Sequence, residues 1–157
     1  VALQDNGKVA VHDDNQRYGY ALGENVYNEG IANFKLKLES FKGNQWMFVG
    51  MLKDTCEALA SVAKNTTPCR WSGSYGWVLG SRGGRVCKNG LWTEDNTITT
   101  ASKEGDTVKL VLDCEAGKLS LHFPTGQELY IEISKSEGWR LNVTLFNPND
   151  KVRIIES

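Results

Sequence analysis

Val108-Lys109-Leu110-Val111-Leu112-Asp113, Leu119-Ser120-Leu121-His122-Phe123 and Leu129-Tyr130-Ile131-Glu132-Ile133 follow one another with short Gly-containing breaks between them. In each run apolar side chains recur at every second position, the period of a strand that lays one face on a core. The breaks, Glu115-Ala116-Gly117 and Pro124-Thr125-Gly126, carry the residues that tight turns need. Two successive hairpins are therefore expected here, and they decide the fold class.

Working outward, Phe34-Lys35-Leu36-Lys37-Leu38-Glu39 alternates in the same way, as do Leu141-Asn142-Val143-Thr144-Leu145 and Val152-Arg153-Ile154. Asn147-Pro148-Asn149-Asp150 separates the last two runs as a tight loop. Trp46-Met47-Phe48-Val49 is apolar at every position, which predicts a central strand covered on both sides. Trp46 and Trp77 lie within strand runs and are assigned to the core; Trp139, after Glu137-Gly138, is expected to lid the sandwich. Many short strands punctuated by turn residues indicate an all-β sandwich or barrel. One stretch departs from this. Asp54-Thr55-Cys56-Glu57 reads as a capping box, and Ala58, Leu59, Val62 and Ala63 share a helical face, so a short helix is expected near 54–64, with a loop from 65 to 74.

At 157 residues the chain is one domain by length, able to bury a core without metals or disulfide staples. It begins at Val1 without methionine, which reads as a domain excised from a longer chain. A formal net charge of −1, with no basic run, argues against nucleic acid as a partner. No apolar stretch approaches the roughly 20 residues that span a bilayer, so no membrane partner is expected. Cys56, Cys69, Cys87 and Cys114 would allow two disulfides in three connectivities, but a domain of this size needs no bridges, so they read as free buried thiols of an intracellular protein, and with no C-x-x-C pair a zinc site is poorly supported. Asn65-Thr66-Thr67 and Asn142-Val143-Thr144 match the N-glycosylation tripeptide, but Asn142 falls inside a strand run.

The chemistry-bearing residues read as structure. Asp113 ends a strand and should cap the following turn, and Glu104-Gly105-Asp106 is itself a turn. Only His12 and His122 could serve as a base. His122 points away from the apolar face of its strand, and His12 lies in a polar turn, His12-Asp13-Asp14-Asn15, without the order of a calcium loop. Ser81-Arg82-Gly83-Gly84-Arg85 lacks the Lys and helix of a phosphate cradle. No enzyme, metal or cofactor is expected.

An immunoglobulin sandwich would place Tyr two residues before the second Cys; Leu112 stands there before Cys114. A different order is present. Gly30 is followed by Phe34-Lys35-Leu36-Lys37-Leu38, Trp46-Met47-Phe48-Val49-Gly50-Met51, Ser74-Tyr75-Gly76-Trp77-Val78-Leu79, Lys88-Asn89-Gly90, Glu104-Gly105-Asp106-Thr107-Val108, Leu112-Asp113, Gly117-Lys118-Leu119-Ser120-Leu121 and Gly126. Over nearly the whole chain this resembles the SPRY (B30.2-type) domain family. It departs from the family in Pro-Thr-Gly where Asn-Gly is usual, and in lacking the LDP-type opening of the longer form, although Val1 to Val11 could supply the strands that follow it.

The resemblance implies a bent sandwich of two antiparallel sheets whose loops at one end recognise a protein or peptide, as the substrate-selecting domain of a ubiquitin ligase or an immune sensor. In the family the segment before the G-W-x-L strand and the loop between the last two strands belong to the recognition end; here these hold Arg70, Trp71 and Tyr75, and Asn147 and Asn149. Trp92, in a polar stretch without alternation, and Tyr18, in the early polar stretch, join the candidates. Trp, Tyr and Arg are the residue types that carry most interface energy. A lectin-like sandwich that stacks sugar rings on exposed Trp is the alternative.

Overall fold

The computed structural model describes residues 1–42, 45–55, 72–80, 84–95, 97–135 and 137–156. Among them thirteen strands form two antiparallel sheets. The seven-stranded sheet runs β1 (Ala2–Gln4), β2 (Val9–Val11), β13 (Lys151–Glu156), β4 (Ile31–Ser40), β9 (Thr107–Asp113), β10 (Lys118–His122), β11 (Glu128–Glu132). The six-stranded sheet runs β3 (Gly19–Leu22), β12 (Trp139–Leu145), β5 (Trp46–Lys53), β6 (Ser74–Gly80), β7 (Arg85–Lys88), β8 (Leu91–Glu94).

Alternation places the core between the sheets. Phe34, Leu36 and Leu38 of β4 and Val108, Leu110 and Leu112 of β9 face Met47, Val49 and Met51 of β5 and Leu141, Val143 and Leu145 of β12, in one buried cluster. Burying each such side chain is worth roughly 1.5–3 kcal/mol. The paired runs at 108–133 form β9, β10 and β11 as expected, with Asp113 Oδ1 accepting the Ala116 N–H at 3.0 Å to close the first hairpin. The tight loop at 147–150 is no hairpin, since β12 and β13 lie in different sheets and the loop carries the chain across the edge of the sandwich. At the N-terminus, Asp5, Asn6 and Gly7 turn β1 into β2 with φ of 53°, 55° and 80°. Arg153 fixes that turn: Nε donates to Glu39 at 2.7 Å and Nη1 to Asp5, whose carboxyl it holds below the usual range.

Three tryptophan assignments are settled here. Trp77 is core, as expected, and Trp139 is wholly buried within the core rather than capping it. Trp46 is a correction. Met47, Val49 and Met51 take the inward parity of β5, so Trp46 and Phe48 point to the opposite face, where Trp46 stays partly exposed. Phe48, Val78 and Cys87 form a second buried cluster on that outer face, joined by Trp46 and Trp92. The central strands are covered on both sides, as their apolar runs predict. Trp92 lies in strand β8, not in a loop, because Asn89 and Gly90, with φ of 53° and 79°, close a two-residue hairpin from β7.

The expected helix at 54–64 lies outside the described residues, apart from Asp54 and Thr55 in a turn. Among the described residues no helix is long and apolar enough to cross a membrane. Cys114 is a free buried thiol whose pKa is raised by burial and by Asp113 and Glu115. Cys87 is buried with Sγ donating to the Ser74 carbonyl at 3.4 Å, and Cys56 and Cys69 lie outside the described residues.

Candidate recognition cleft

The outer face of the six-stranded sheet carries a concavity of about 350 Å³ lined by Tyr18, Trp46, Val78, Arg85, Trp92, Thr93 and Glu94. Its construction begins with two glycines. Gly50 and Gly76 are opposite one another across β5 and β6, and a Cβ on Gly76 would sit 2.8 Å from the Phe48 ring and 2.3 Å from the Val49 carbonyl oxygen. The missing side chain lets Phe48 lie over β6. Trp92, whose register partner is Cys87, then packs edge-on against Phe48 with centroids 5.5 Å apart, forming one wall.

The opposite wall comes from the far end of the sheet. Tyr18 meets Trp46 at 5.1 Å and Phe146 at 4.6 Å between ring centroids. Tyr18 is held by the segment ahead of it, where the buried His12 ring donates through Nε2 to the Arg17 carbonyl at 2.5 Å. Val78 lies between the walls, with Arg85 and Glu94 beside it; Arg85 Nε stands 3.7 Å from Glu94 Oε1.

The sequence candidates divide accordingly. Tyr18 and Trp92 share the cleft. Asn147 and Asn149 sit behind the Tyr18 wall: Asn147 is buried and accepts from Gln16 Nε2 at 3.4 Å, while exposed Asn149, at φ 62°, donates its N–H to the Asp13 carbonyl at 2.9 Å. Tyr75 is elsewhere, on the inward parity of β6 with its ring edge-on to Trp139 at 5.4 Å; burial raises its pKa, with Cys87 and Glu137 adding. Arg70 and Trp71 lie outside the described residues. Sequence reading missed Trp46, Val78, Arg85, Thr93 and Glu94. Parity groups Trp46 with Phe48 opposite Met47, but in an all-apolar run it does not say which of the two faces is inward.

The chemistry of a nucleophile is only sketched. Ser120 Oγ is 3.3 Å from His122 Nε2, and His122 Nδ1 is 3.9 Å from Glu128 Oε2, too far for the hydrogen bond that would orient a base. β10 is flanked by β9 and β11, so its N–H groups serve the ladders and none is left to face an oxyanion. Among the described residues no group of three or more His, Cys, Asp or Glu is arranged to hold a metal.

No protein-family model matches the chain, and no curated protein matches it. Solved structures do. The SPRY domain of human HERC1 superposes with a TM-score of 0.70 at 22% identity, over 97% of this chain and 90% of that one. The TRIM65 PSpry domain gives 0.70 at 9% identity, over 99% and 85%. A human SPRY domain gives 0.61 at 12% identity, over 97% and 92%. The sandwich that the alternating runs and motif order foretold is thus a SPRY-type fold, which this chain carries across almost its whole length.

Proposed function

We propose that this chain is a protein-interaction module that seats an extended segment of a partner protein in the cleft between the Tyr18–Trp46 wall and Trp92. One observation carries the reading: three partly exposed aromatic side chains and an Arg converge on a 350 Å³ concavity on one face of a rigid sheet. Aromatic anchors in a preformed recess, rimmed by charge, are the make-up of an interface hot spot. The likeness to SPRY domains agrees with it. Recognition needs no chemistry from the domain, so no catalytic role is assigned.

A peptide-display selection followed by fluorescence polarisation tests this. Selected peptides should bind wild type and lose about 2 kcal/mol or more with Trp92→Ala. Equal affinity in a variant that melts with wild type would move the site elsewhere. Glycan binding without peptide binding would favour the lectin reading.

The finer role, as the partner-selecting domain of a ubiquitin ligase or immune sensor, follows the motif resemblance. Its test is ubiquitin transfer to the captured protein by the parent chain, lost with Trp92→Ala. An intracellular setting is supported by the buried free thiol of Cys114.

A further inference from the structure

The arginines of this chain are not in equivalent states. Arg17 donates to Asp13 at 2.8 Å, Arg140 to Asp54 at 2.7 Å and to the Gly23 and Glu24 carbonyls, and Arg153 to Glu39 and Asp5. The Arg85 guanidinium makes no hydrogen bond among the described residues. Its one ion-pair contact, Glu94 Oε1 at 3.7 Å, is beyond hydrogen-bond reach, and Glu94 is itself 70% exposed. Yet Arg85 is the arginine whose side chain lines the cleft, two-thirds covered, beside Val78 and Trp92. A guanidinium presents five N–H donors in a fork that matches a carboxylate two-to-two. Screening is weaker against aromatic walls than in open water. A fork so placed, with Glu94 as its only and distant counter-ion among the described residues, suits an acceptor anion.

We infer that Arg85 selects the partner, taking a peptide in which a carboxylate adjoins an apolar side chain; this rests on the reading of the cleft as a peptide site. The apolar side chain lies on Val78 between Trp46 and Trp92. The carboxylate replaces Glu94 as the counter-ion of Arg85, this time with hydrogen bonds. Glu94 acts as a placeholder that holds the fork loosely and lowers affinity for any acid. Being mostly solvated, it gives up little when displaced. A carboxylate can come from an Asp or Glu side chain or from a chain terminus, and both meet the fork in the same way.

The test is a positional-scanning library of acetylated hexapeptide amides with Leu or Trp fixed at the third position, and a second library with Leu or Trp fixed at the last position and ending in the free acid. Both are screened against wild type, Arg85→Gln, Arg85→Lys, Glu94→Gln and Trp92→Ala, each checked by thermal melting. Wild type should enrich Asp or Glu beside the fixed residue, by about tenfold over Asn or Gln. Arg85→Gln should lose that preference, Arg85→Lys should recover part of it, and Glu94→Gln should strengthen acid binding several-fold. Binding confined to the free-acid library, and lost with Arg85→Gln, identifies a terminal carboxylate as the source. If peptides bind, and Trp92→Ala abolishes binding, but neither Asp, Glu nor a free terminal acid is favoured, or the preference persists with Arg85→Gln, the inference falls and the peptide site stands. A preference for phosphorylated over carboxylate peptides also overturns it. If no peptide binds wild type, the reading of the cleft falls with it. Should Arg85→Gln fail to fold, weaker or unchanged acid binding by Glu94→Gln is the overturning result.

Discussion

The rings of Tyr18 and Trp46 meet edge-on with centroids 5.1 Å apart, and one wall of the cleft consists of that contact and their shared packing on Phe146. Tyr18 precedes β3, at one edge of the sheet, and Trp46 opens β5, two strands in. Tyr18 is 41% exposed, so removing it sacrifices recognition more than stability. Tyr18→Ala should lower stability by about 1 kcal/mol, the worth of its aromatic contacts, and weaken a cleft-binding peptide by about 2 kcal/mol. Tyr18→Phe should keep both. Urea unfolding and fluorescence polarisation separate the two effects.

Gly76 and Gly126 make a paired experiment. A methyl at Gly76 would meet backbone and the Phe48 ring within 3 Å, whereas Gly126, at φ 91°, has open space around its Cβ position. Gly76→Ala should therefore cost about 1–3 kcal/mol through overpacking, and should also displace Phe48 and Trp92 and impair binding. Gly126→Ala should cost about 1 kcal/mol through backbone strain alone and leave binding intact. Equal effects on binding would disconnect Gly76 from the cleft wall.

Asp150 gives the stability a pH dependence. Its carboxyl is wholly buried, with Oδ1 accepting the Lys42 N–H at 2.9 Å and Oδ2 lacking a partner among the described residues. Burial pushes its pKa up to about 6, against the lowering effect of the Lys42 N–H and His12. A folded value above the unfolded one means that the folded protein holds the proton more tightly. The stabilisation is then complete below the unfolded value near 4 and is lost as pH rises through about 6. Wild type should lose about 1–3 kcal/mol across that window relative to Asp150→Asn, which keeps an oxygen for Lys42 and cannot ionise. Urea titrations from pH 4 to pH 8 measure the difference, and parallel curves would refute it.

Asn142 carries a glycosylation tripeptide that the fold does not offer. The residue is fully buried on β12, with Oδ1 accepting from Thr144 Oγ1 at 3.3 Å. Chains passed through a eukaryotic secretory route should therefore yield folded monomer without glycan at Asn142, while any glycosylated chain fails to fold. Mass spectrometry of the monomeric fraction checks this; a glycan on Asn142 in folded protein would contradict the packing of β12.

The fold was legible because alternation is a local signal that a half-buried strand cannot hide. β9, β10 and β11 fall within a residue of their expected limits, and β4, β12 and β13 are found where their runs lie. Residues 91–94 gave no such signal, because β8 is an edge strand with little to bury. The cleft was legible in fragments. Tyr18 and Trp92 stood out as aromatics without a core pattern, but Arg85 carries no local mark in the sequence around it. Trp46 was hidden by its own run: when all four residues are apolar, composition cannot say which face each one takes. Cross-strand neighbours so distant in sequence are joined by topology alone.

The two last strands are keystones. Among the described residues β12 is the sole partner of β3 and joins it to β5, while β13 alone joins the β1–β2 hairpin to β4. A nascent chain that has not yet delivered Trp139 to Glu156 therefore has the β1–β2 hairpin and β3 unattached to the rest of the sheets, and the ladders of β4 and β5 each open along one side. Such open ladders are templates for pairing with other chains. The order of synthesis thus leaves the interval before the final strands insert as the period when this sandwich is most prone to aggregate, and closure by two late strands makes its folding slow and dependent on distant contacts.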